Sequence, residues 1–150
     1  MDTIPFNELP FISNPAKLSA YLNHLHKERK ASKLKGKRGT LTKEQRKLIL
    51  QKTDSKCHIC GIPLTSENFQ ADHVKSHVTG GTHTIDNYLP GCKTCNNYRW
   101  HYNWQEIQYI LKIGVWAKSL IERNNSLGKT LAEEFVAYEI KREKRRKLPR

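Results

Sequence analysis

Two closely spaced pairs of cysteines constrain this sequence more than any other feature. Cys57 and Cys60 form the first pair, Cys92 and Cys95 form the second, and the chain of 150 residues has no other cysteine. Two thiolates separated by two residues can bind one side of a tetrahedral ion, and a second pair completes its coordination. The pattern therefore predicts a structural zinc site that joins two distant parts of the chain.

Disulfide and redox interpretations of the cysteines are less favourable. Disulfides would indicate an oxidising compartment, yet no apolar signal segment opens the sequence. A thioredoxin-like motif would not need a second cysteine pair. We therefore expect reduced, metal-binding cysteines and a cytoplasmic location. No apolar run approaches the roughly 20 residues of a membrane span, so no membrane partner is expected.

The net charge of +13 predicts a polyanionic partner, with nucleic acid the usual one. A solvated surface that only aids solubility is the alternative, but the charge is clustered. One cluster lies in the glycine-punctuated segment 33–38, and another ends the chain from Lys141. The second is either a solvated helix end or a nucleic-acid tail, and we favour the tail. The candidate phosphate contacts are Lys35, Lys37, Arg38, Lys144, Arg145 and Arg146.

Capping signals predict helices on both sides of the cysteine segment. Asn14-Pro15 indicates a helix start, and Thr42 to Gln45 has the form of a capping box. We expect a helix from about Lys93, inside the second cysteine pair, another to about Arg123, and a last one opened by a capping box at Thr130. The fold class is therefore α+β and mostly helical. We expect an N-terminal arm, helix and linker, a zinc domain, and C-terminal helices with a basic tail, with bounds 1–40, 41–102 and 103–150.

The residues between the cysteine pairs predict a hairpin. A strand is expected from about Phe69 to Val74, a second follows a glycine-rich loop, and Pro90-Gly91 is expected to turn the chain toward Cys92. Side chains alternate along a strand, so Asp72 and His73 should point to opposite faces. A bulge or bend there would bring them to one site.

Taken in their order along the chain, the sequence motifs between Ser55 and His101 resemble those of the HNH endonuclease family. The resemblance covers about a third of the chain. The resemblance implies a zinc-stabilised, treble-clef-like ββα-metal core. It also implies that Asp72 and Asn96 bind a catalytic divalent metal and that Asn87 holds the loop or the base in place. The family often has histidine at the position of Asn96. The motifs that carry the resemblance are Cys57-x-x-Cys60, Asp72-His73, Gly80-Gly81, Asn87 and Cys92-x-x-Cys95-Asn96.

Hydrolysis of a phosphodiester needs an activated water, and neutral His73 can accept its proton near pH 7. Oxygen ligands suit Mg²⁺ or Mn²⁺. His101 is a further candidate ligand, and His77 or His83 could reach phosphate, although we favour a surface position without such a role for each of the three. Arg99 either clamps the scissile phosphate or forms part of a basic helix face. Trp100, Tyr102 and Trp104 are expected in the core, with base stacking as the alternative.

Two functions follow from these residues. The first is a metal-dependent endonuclease acting on DNA, with RNA not excluded, in which His73 activates water. The second is a zinc-stabilised nucleic-acid-binding module without cleavage. A single site cuts a single strand, so double-strand cleavage would need a homodimer or a partner protein. Only the nuclease accounts for Asp72, His73, Asn87 and Asn96 together, and we favour it.

Overall fold

The computed structural model describes residues 11–31 and 39–146. Within these ranges the chain is mostly helical with a small two-stranded antiparallel sheet, so the predicted α+β class is confirmed. Short 3₁₀ turns, His77–Thr79 and Ile85–Asn87, lie between the strands. The regular elements are α1 (Pro15–Ala31), α2 (Lys43–Gln51), β1 (Gln70–His73), β2 (Tyr88–Gly91), α3 (Lys93–Arg99), α4 (Trp104–Glu122) and α5 (Ser126–Arg146).

The chain divides into two compact units, with the boundary between Ile107 and Gln108. The predicted division into 1–40, 41–102 and 103–150 stays a prediction. The start of the predicted arm (1–10), the basic linker (33–38) and the last residues of the tail (147–150) lie outside the described residues. No helix in the part of the chain that the structure describes is long and apolar enough to cross a membrane.

The predicted helix starts at α1 and α2 are confirmed. The side-chain oxygen of Asn14 accepts from the Lys17 amide at 3.0 Å. Thr42 and Gln45 form a complete capping box, with reciprocal hydrogen bonds of 3.2 and 2.9 Å. Such caps satisfy amide groups that a helix leaves unbonded at its first turn, which is why they could be recognised from sequence.

The predicted turn at Pro90-Gly91 is wrong, because both residues continue β2. Pro90 pairs with Ala71, and its carbonyl accepts from the His58 amide at 3.0 Å. Proline is tolerated on an edge strand, since no ladder bond needs its missing N–H. The second strand therefore runs directly into Cys92.

The predicted start of the last helix at Thr130 is also wrong, because α5 begins at Ser126. Asn125 caps it instead, its side-chain oxygen accepting from the Gly128 amide at 2.8 Å. A β-carbon at Gly128 would lie 2.1 Å from the carbonyl oxygen of Leu120. Glycine at this position allows α4 and α5 to approach closely around the connecting turn.

The core of the first unit lies between α2 and the hairpin. Ile49 and Phe69 are fully buried there, and Leu64, Tyr88, Cys57 and Cys92 complete the cluster. Lys52, which follows α2, donates to the carbonyl of Tyr88 at 3.0 Å, and this bond fixes the hairpin against the helix. Two of the four cysteines are thus part of the apolar core.

A buried ion pair fastens α1 to the start of α4. Arg29 Nε donates to both carboxylate oxygens of Glu106 at 3.1 Å. The same guanidinium stacks on the rings of Trp100 and Tyr102, each 4.9 Å from the ring centre. These contacts fix the segment that carries His101.

Candidate metal centre and active site

The four cysteines converge as predicted. Their sulfur atoms all lie within 4.8 Å of one another, and Cys60 Sγ lies 3.9 Å from Cys92 Sγ. In a tetrahedral zinc site with Zn–S bonds of about 2.3 Å, neighbouring sulfurs are about 3.8 Å apart. The four thiols are therefore positioned to hold a metal ion such as zinc.

The shifted pKa values of two of the thiols are also compatible with a cation-binding site. Burial raises the pKa of the Cys57 thiol, but hydrogen bonds from the backbone of Cys60 and Cys92 outweigh it and bring the pKa to about 6. Burial raises the pKa of Cys95, and so do its contacts with the Cys92 and Cys60 thiols. Four thiolates at this separation repel one another, so all four can ionise together only around a positive charge.

Two tight turns present the cysteine pairs. After the first pair, Gly61 has φ +76°, which favours glycine, and its amide donates to the Cys57 carbonyl at 2.9 Å. In the second pair, Cys92 caps α3, and its sulfur accepts from the Cys95 amide at 3.3 Å. The amide of Cys92 donates to Cys57 Sγ at 3.3 Å. The first turn and the start of α3 are thus joined through sulfur by the protein's own hydrogen bonds.

The hairpin directs Asp72 and His73 to opposite faces. Pairing is one to one, with Asp72 opposite Leu89 and His73 opposite Tyr88. The bulge or bend that would have brought the two residues to one site is therefore not found within β1, and regular alternation holds to the end of the strand. His73 instead lies at the last position of the strand, where the chain turns away.

Asp72 is 3% exposed and bound by two cationic or potentially cationic side chains. Its Oδ2 lies 2.8 Å from His58 Nε2, and its Oδ1 accepts from Arg99 at 2.8 Å. Arg99 also donates to the Val74 carbonyl at 2.7 Å. Arg99 therefore makes its hydrogen bonds to groups within the protein. His58 was missed at the sequence level, although its position inside the first cysteine pair was a usable signal.

Asn96 shares the face of Asp72. A β-carbon at Gly91 would lie 3.6 Å from the β-carbons of both Asn96 and Asp72. The absence of a side chain at Gly91 therefore leaves a small space beside the β-carbons of Asp72 and Asn96, whose side chains end in a carboxylate and an amide. Oxygen donors of these two types suit a hard divalent cation such as Mg²⁺ or Mn²⁺.

His73 lies within a group of aromatic side chains on the other face. Its Nε2 is 3.1 Å from His83 Nδ1, which is itself 3.1 Å from the Tyr88 hydroxyl. The ring of His77 lies 5.3 Å from that of His73, and the ring of His101 lies 5.0 Å from that of His77. Sequence reasoning treated these three additional histidines separately. Their convergence was missed, because His77 and His83 come from the loop and His101 from the turn that follows α3.

Asn87 closes the loop that follows β1. Its Oδ1 accepts from the Lys75 amide at 2.8 Å, and its Nδ2 donates to the carbonyls of Lys75 and Thr82 at 2.9 and 2.8 Å. Beside it, a β-carbon at Gly81 would lie 1.8 Å from the Lys75 carbonyl oxygen, so only glycine fits. The side chain of Asn87 thus joins both ends of the segment that carries His77.

Replacing Asn87 with alanine is expected to lower the free energy of unfolding by about 1–3 kcal/mol, because two backbone carbonyls and an amide are left without their partner. Exchange of the amides in 75–84 should rise more than that of β2. Hydrogen exchange by mass spectrometry and chemical denaturation measure both effects. Exposed Asn97 provides the control in Asn97→Ala. Equal protection of the loop in both variants would contradict this role.

The remaining candidate residues are on the surface or outside the described part. Lys144, Arg145 and Arg146 are exposed in the last turn of α5. Lys35, Lys37 and Arg38 lie outside the described residues. The expectation that Trp100 and Trp104 are core residues is wrong, since their exposed fractions are 51% and 52%. Apolar periodicity cannot distinguish a buried indole from one that lies at the surface.

Comparison with known proteins bears on the central segment. The family model described as HNH endonuclease matches residues 57–99, so the resemblance inferred from the residues is confirmed there. The matched segment begins at Cys57, contains the whole hairpin, and ends with α3. No curated protein matches the chain.

Proposed function

We propose that this chain, in which residues 57–99 match the HNH endonuclease family, is a divalent-metal-dependent endonuclease that hydrolyses phosphodiester bonds of DNA. The observation that carries the proposal is this match, together with the hairpin and α3 inside it, which bring a carboxylate and an amide to one face of β1 and an imidazole to the other. The net charge of +13 supports a polyanionic substrate.

His73 accepts the proton of the attacking water. Its position at the last residue of β1 leaves the imidazole at the edge of the hairpin, and contact with His83 at 3.1 Å restrains the ring. Imidazole groups in general change protonation near pH 7, which suits a base that acts there. Asn87 acts indirectly by holding the loop that carries His83.

Asp72 and Asn96 would hold the divalent ion beside Gly91. Mg²⁺ or Mn²⁺ bound there would neutralise charge on the scissile phosphate and on the departing oxygen. Asp72 already binds His58 and Arg99, but an ionised carboxylate has about four acceptor sites and retains capacity for a cation. His58 and Arg99 then act as positioning residues that fix the orientation of the carboxylate. A separate zinc ion bound by the four cysteines stabilises the fold.

A supercoiled-plasmid assay tests the activity directly. The zinc-loaded full chain should convert supercoiled DNA to the nicked form in the presence of Mg²⁺ or Mn²⁺, and excess EDTA should stop the reaction. Nicked circles should precede linear DNA, because a single site cuts a single strand. Failure to cut any DNA, with zinc bound and the fold intact, would overturn the proposal.

The non-catalytic binding module has specific support. Asp72 is 3% exposed, and each of its oxygens already has a basic partner. If these contacts are permanent, the carboxylate is structural and the chain binds nucleic acid without cleaving it. The plasmid assay, combined with a DNA-binding measurement, separates the two functions.

The basic end of α5 is expected to bind phosphates in a way that does not depend on base sequence. Replacing Lys144, Arg145 and Arg146 with glutamine should reduce the slope of log K against log salt by about 0.9 for each phosphate that is no longer neutralised. Fluorescence anisotropy with labelled duplexes at several salt concentrations measures the slope. As the control, replacing exposed Lys112, Lys118 and Lys129 with glutamine removes the same number of positive charges from other positions in the chain. Equal slopes for the two triple variants would make the α5 end a solvated helix terminus.

A further inference from the structure

Four of the seven histidines in the chain lie around the end of β1, on the face opposite Asp72. We propose that His73, His77 and His83 form a second metal site, selective for a transition ion such as Zn²⁺ or Ni²⁺, and that the bound ion inhibits DNA cleavage. The inhibition rests on the proposed role of His73 as base, whereas binding of the ion does not. None of the three is part of the cysteine site or of the space beside Gly91.

The three imidazole rings have the separation that such an ion requires. Ring centres are 5.3 Å apart for His73 and His77, 5.0 Å for His73 and His83, and 5.6 Å for His77 and His83. With metal–nitrogen bonds of about 2.0–2.1 Å and tetrahedral angles, the centres of ligating rings are about 5.2 Å apart. The observed triangle is therefore close to that of a three-histidine site.

Two ligand atoms already lie at the required distance. His73 Nε2 and His83 Nδ1 are 3.1 Å apart, compared with about 3.3 Å between nitrogens that share a tetrahedral zinc ion. Among the described residues, the four cysteines are the only group of three or more His, Cys, Asp or Glu side chains whose ligand atoms all lie within 4.8 Å of one another, so the His77 ligand atom is not yet in place. The ion must therefore turn the ring of His77 inward. His77 is on the loop between β1 and β2, at the start of the 3₁₀ turn His77–Thr79.

The ligand chemistry predicts which ions bind and how tightly. Imidazole nitrogen suits Zn²⁺, Ni²⁺ or Cu²⁺, whereas Mg²⁺ prefers oxygen. Three neutral imidazoles leave the ion's charge uncompensated within a protein of charge +13. The histidine site should accordingly bind zinc more weakly than the four thiolates do. His101, whose ring is 5.0 Å from His77, or a water molecule supplies the fourth ligand.

Occupation of this site prevents the proposed proton transfer. An imidazole nitrogen that is bound to the ion has no lone pair available for a proton, and the turned loop is held against the end of β1. Excess Zn²⁺ should therefore inhibit cleavage even when Mg²⁺ is saturating. The bound ion would make cleavage sensitive to the free concentration of transition metals.

The binding test uses the full chain loaded with one zinc ion per molecule. Isothermal titration with Ni²⁺ should show a second equivalent that binds to the wild type. His77→Gln and His83→Gln should each weaken this equivalent by at least about tenfold, since removing even a residue that only supports a ligand weakens metal binding that much. His24→Gln is the matched control, because His24 lies on α1 with its side chain 65% exposed. Zinc content and circular dichroism establish that each variant is folded.

Either of two results overturns the metal site: wild type that binds no second ion, or variants of His77 and His83 that bind it as tightly as His24→Gln does. The activity test compares each protein with its own rate before Zn²⁺ is added. Wild type and His24→Gln should be inhibited, and the two loop variants should resist inhibition at the same Zn²⁺ concentration. If wild type binds the second ion but cuts no DNA, the proposed nuclease function fails and the metal site stands.

Discussion

Replacing His73 with alanine is expected to reduce DNA cleavage by about 10² to 10⁴-fold, the usual contribution of a general base. Zinc content, folding and DNA affinity should stay close to wild type, since phosphate contacts elsewhere supply most of the binding. A time course of plasmid nicking at fixed Mg²⁺ measures the rate. Raising the Mg²⁺ or Mn²⁺ concentration should not restore it, because the group that was removed accepts a proton.

Variants of the proposed metal ligands should behave differently. Asp72→Asn and Asn96→Ala are expected to abolish cleavage at ordinary Mg²⁺ and to recover part of it at high Mg²⁺ or Mn²⁺, because their defect is in metal affinity. Asparagine is chosen for Asp72 because removing the whole side chain would leave Arg99 and His58 without it. His24→Ala, on the exposed face of α1, is the control. Wild-type cleavage by His73→Ala would end its assignment as the base.

The metal titration also identifies the role of Asp72. Rescue of Asp72→Asn by added metal would support a ligand in the space beside Gly91. Loss of activity without rescue, together with a lower unfolding free energy, would indicate that the carboxylate mainly holds Arg99 and the first cysteine turn. These outcomes are distinguishable because one depends on metal concentration and the other does not.

Replacing a cysteine of either pair with serine is expected to unfold the first unit under conditions in which the wild type is stable. A structural zinc ion contributes on the order of 10 kcal/mol of apparent binding energy in small domains, which is as large as the whole free energy of unfolding of a typical domain. Cys57→Ser and Cys60→Ser provide the sharpest comparison, since Cys57 is buried and Cys60 is exposed. Zinc analysis and chemical denaturation measure the effect.

Both variants should lose zinc and stability to a similar degree, because each removes a ligand from the same ion. If the protein bound no zinc, only Cys57→Ser should lower the stability, because of these two residues only Cys57 is buried. Thr94→Ala, an exposed change inside the second pair, should leave zinc content and stability near wild type. A stable Cys60→Ser protein that has no zinc would refute the structural role of the ion.

The central segment could be predicted in detail because its signals are local. Spacing of two residues brings two thiols to one ion, and Thr42 and Gln45 meet because they are separated by a single helical turn. The errors arose where local signals compete. Thr130 and Asn125 both resemble helix caps, and close packing of Gly128 on Leu120 favours the earlier start. Pro90 resembles a turn residue but is tolerated on an edge strand.

The sequence by itself determined which side-chain atoms can bind a metal ion. It also determined that the hairpin precedes α3. Both features depend on residues that lie close together in the chain. It also established the positive charge. Only the tertiary structure decided that His58 and Arg99 bind Asp72 and that His77 and His83 lie beside His73. The hydrogen bonds among these residues and Tyr88 join positions 5 to 27 apart in the chain. A periodic sequence pattern cannot predict contacts between residues this far apart in the chain. Such contacts depend on how the loop folds over the hairpin and on how α3 packs against it.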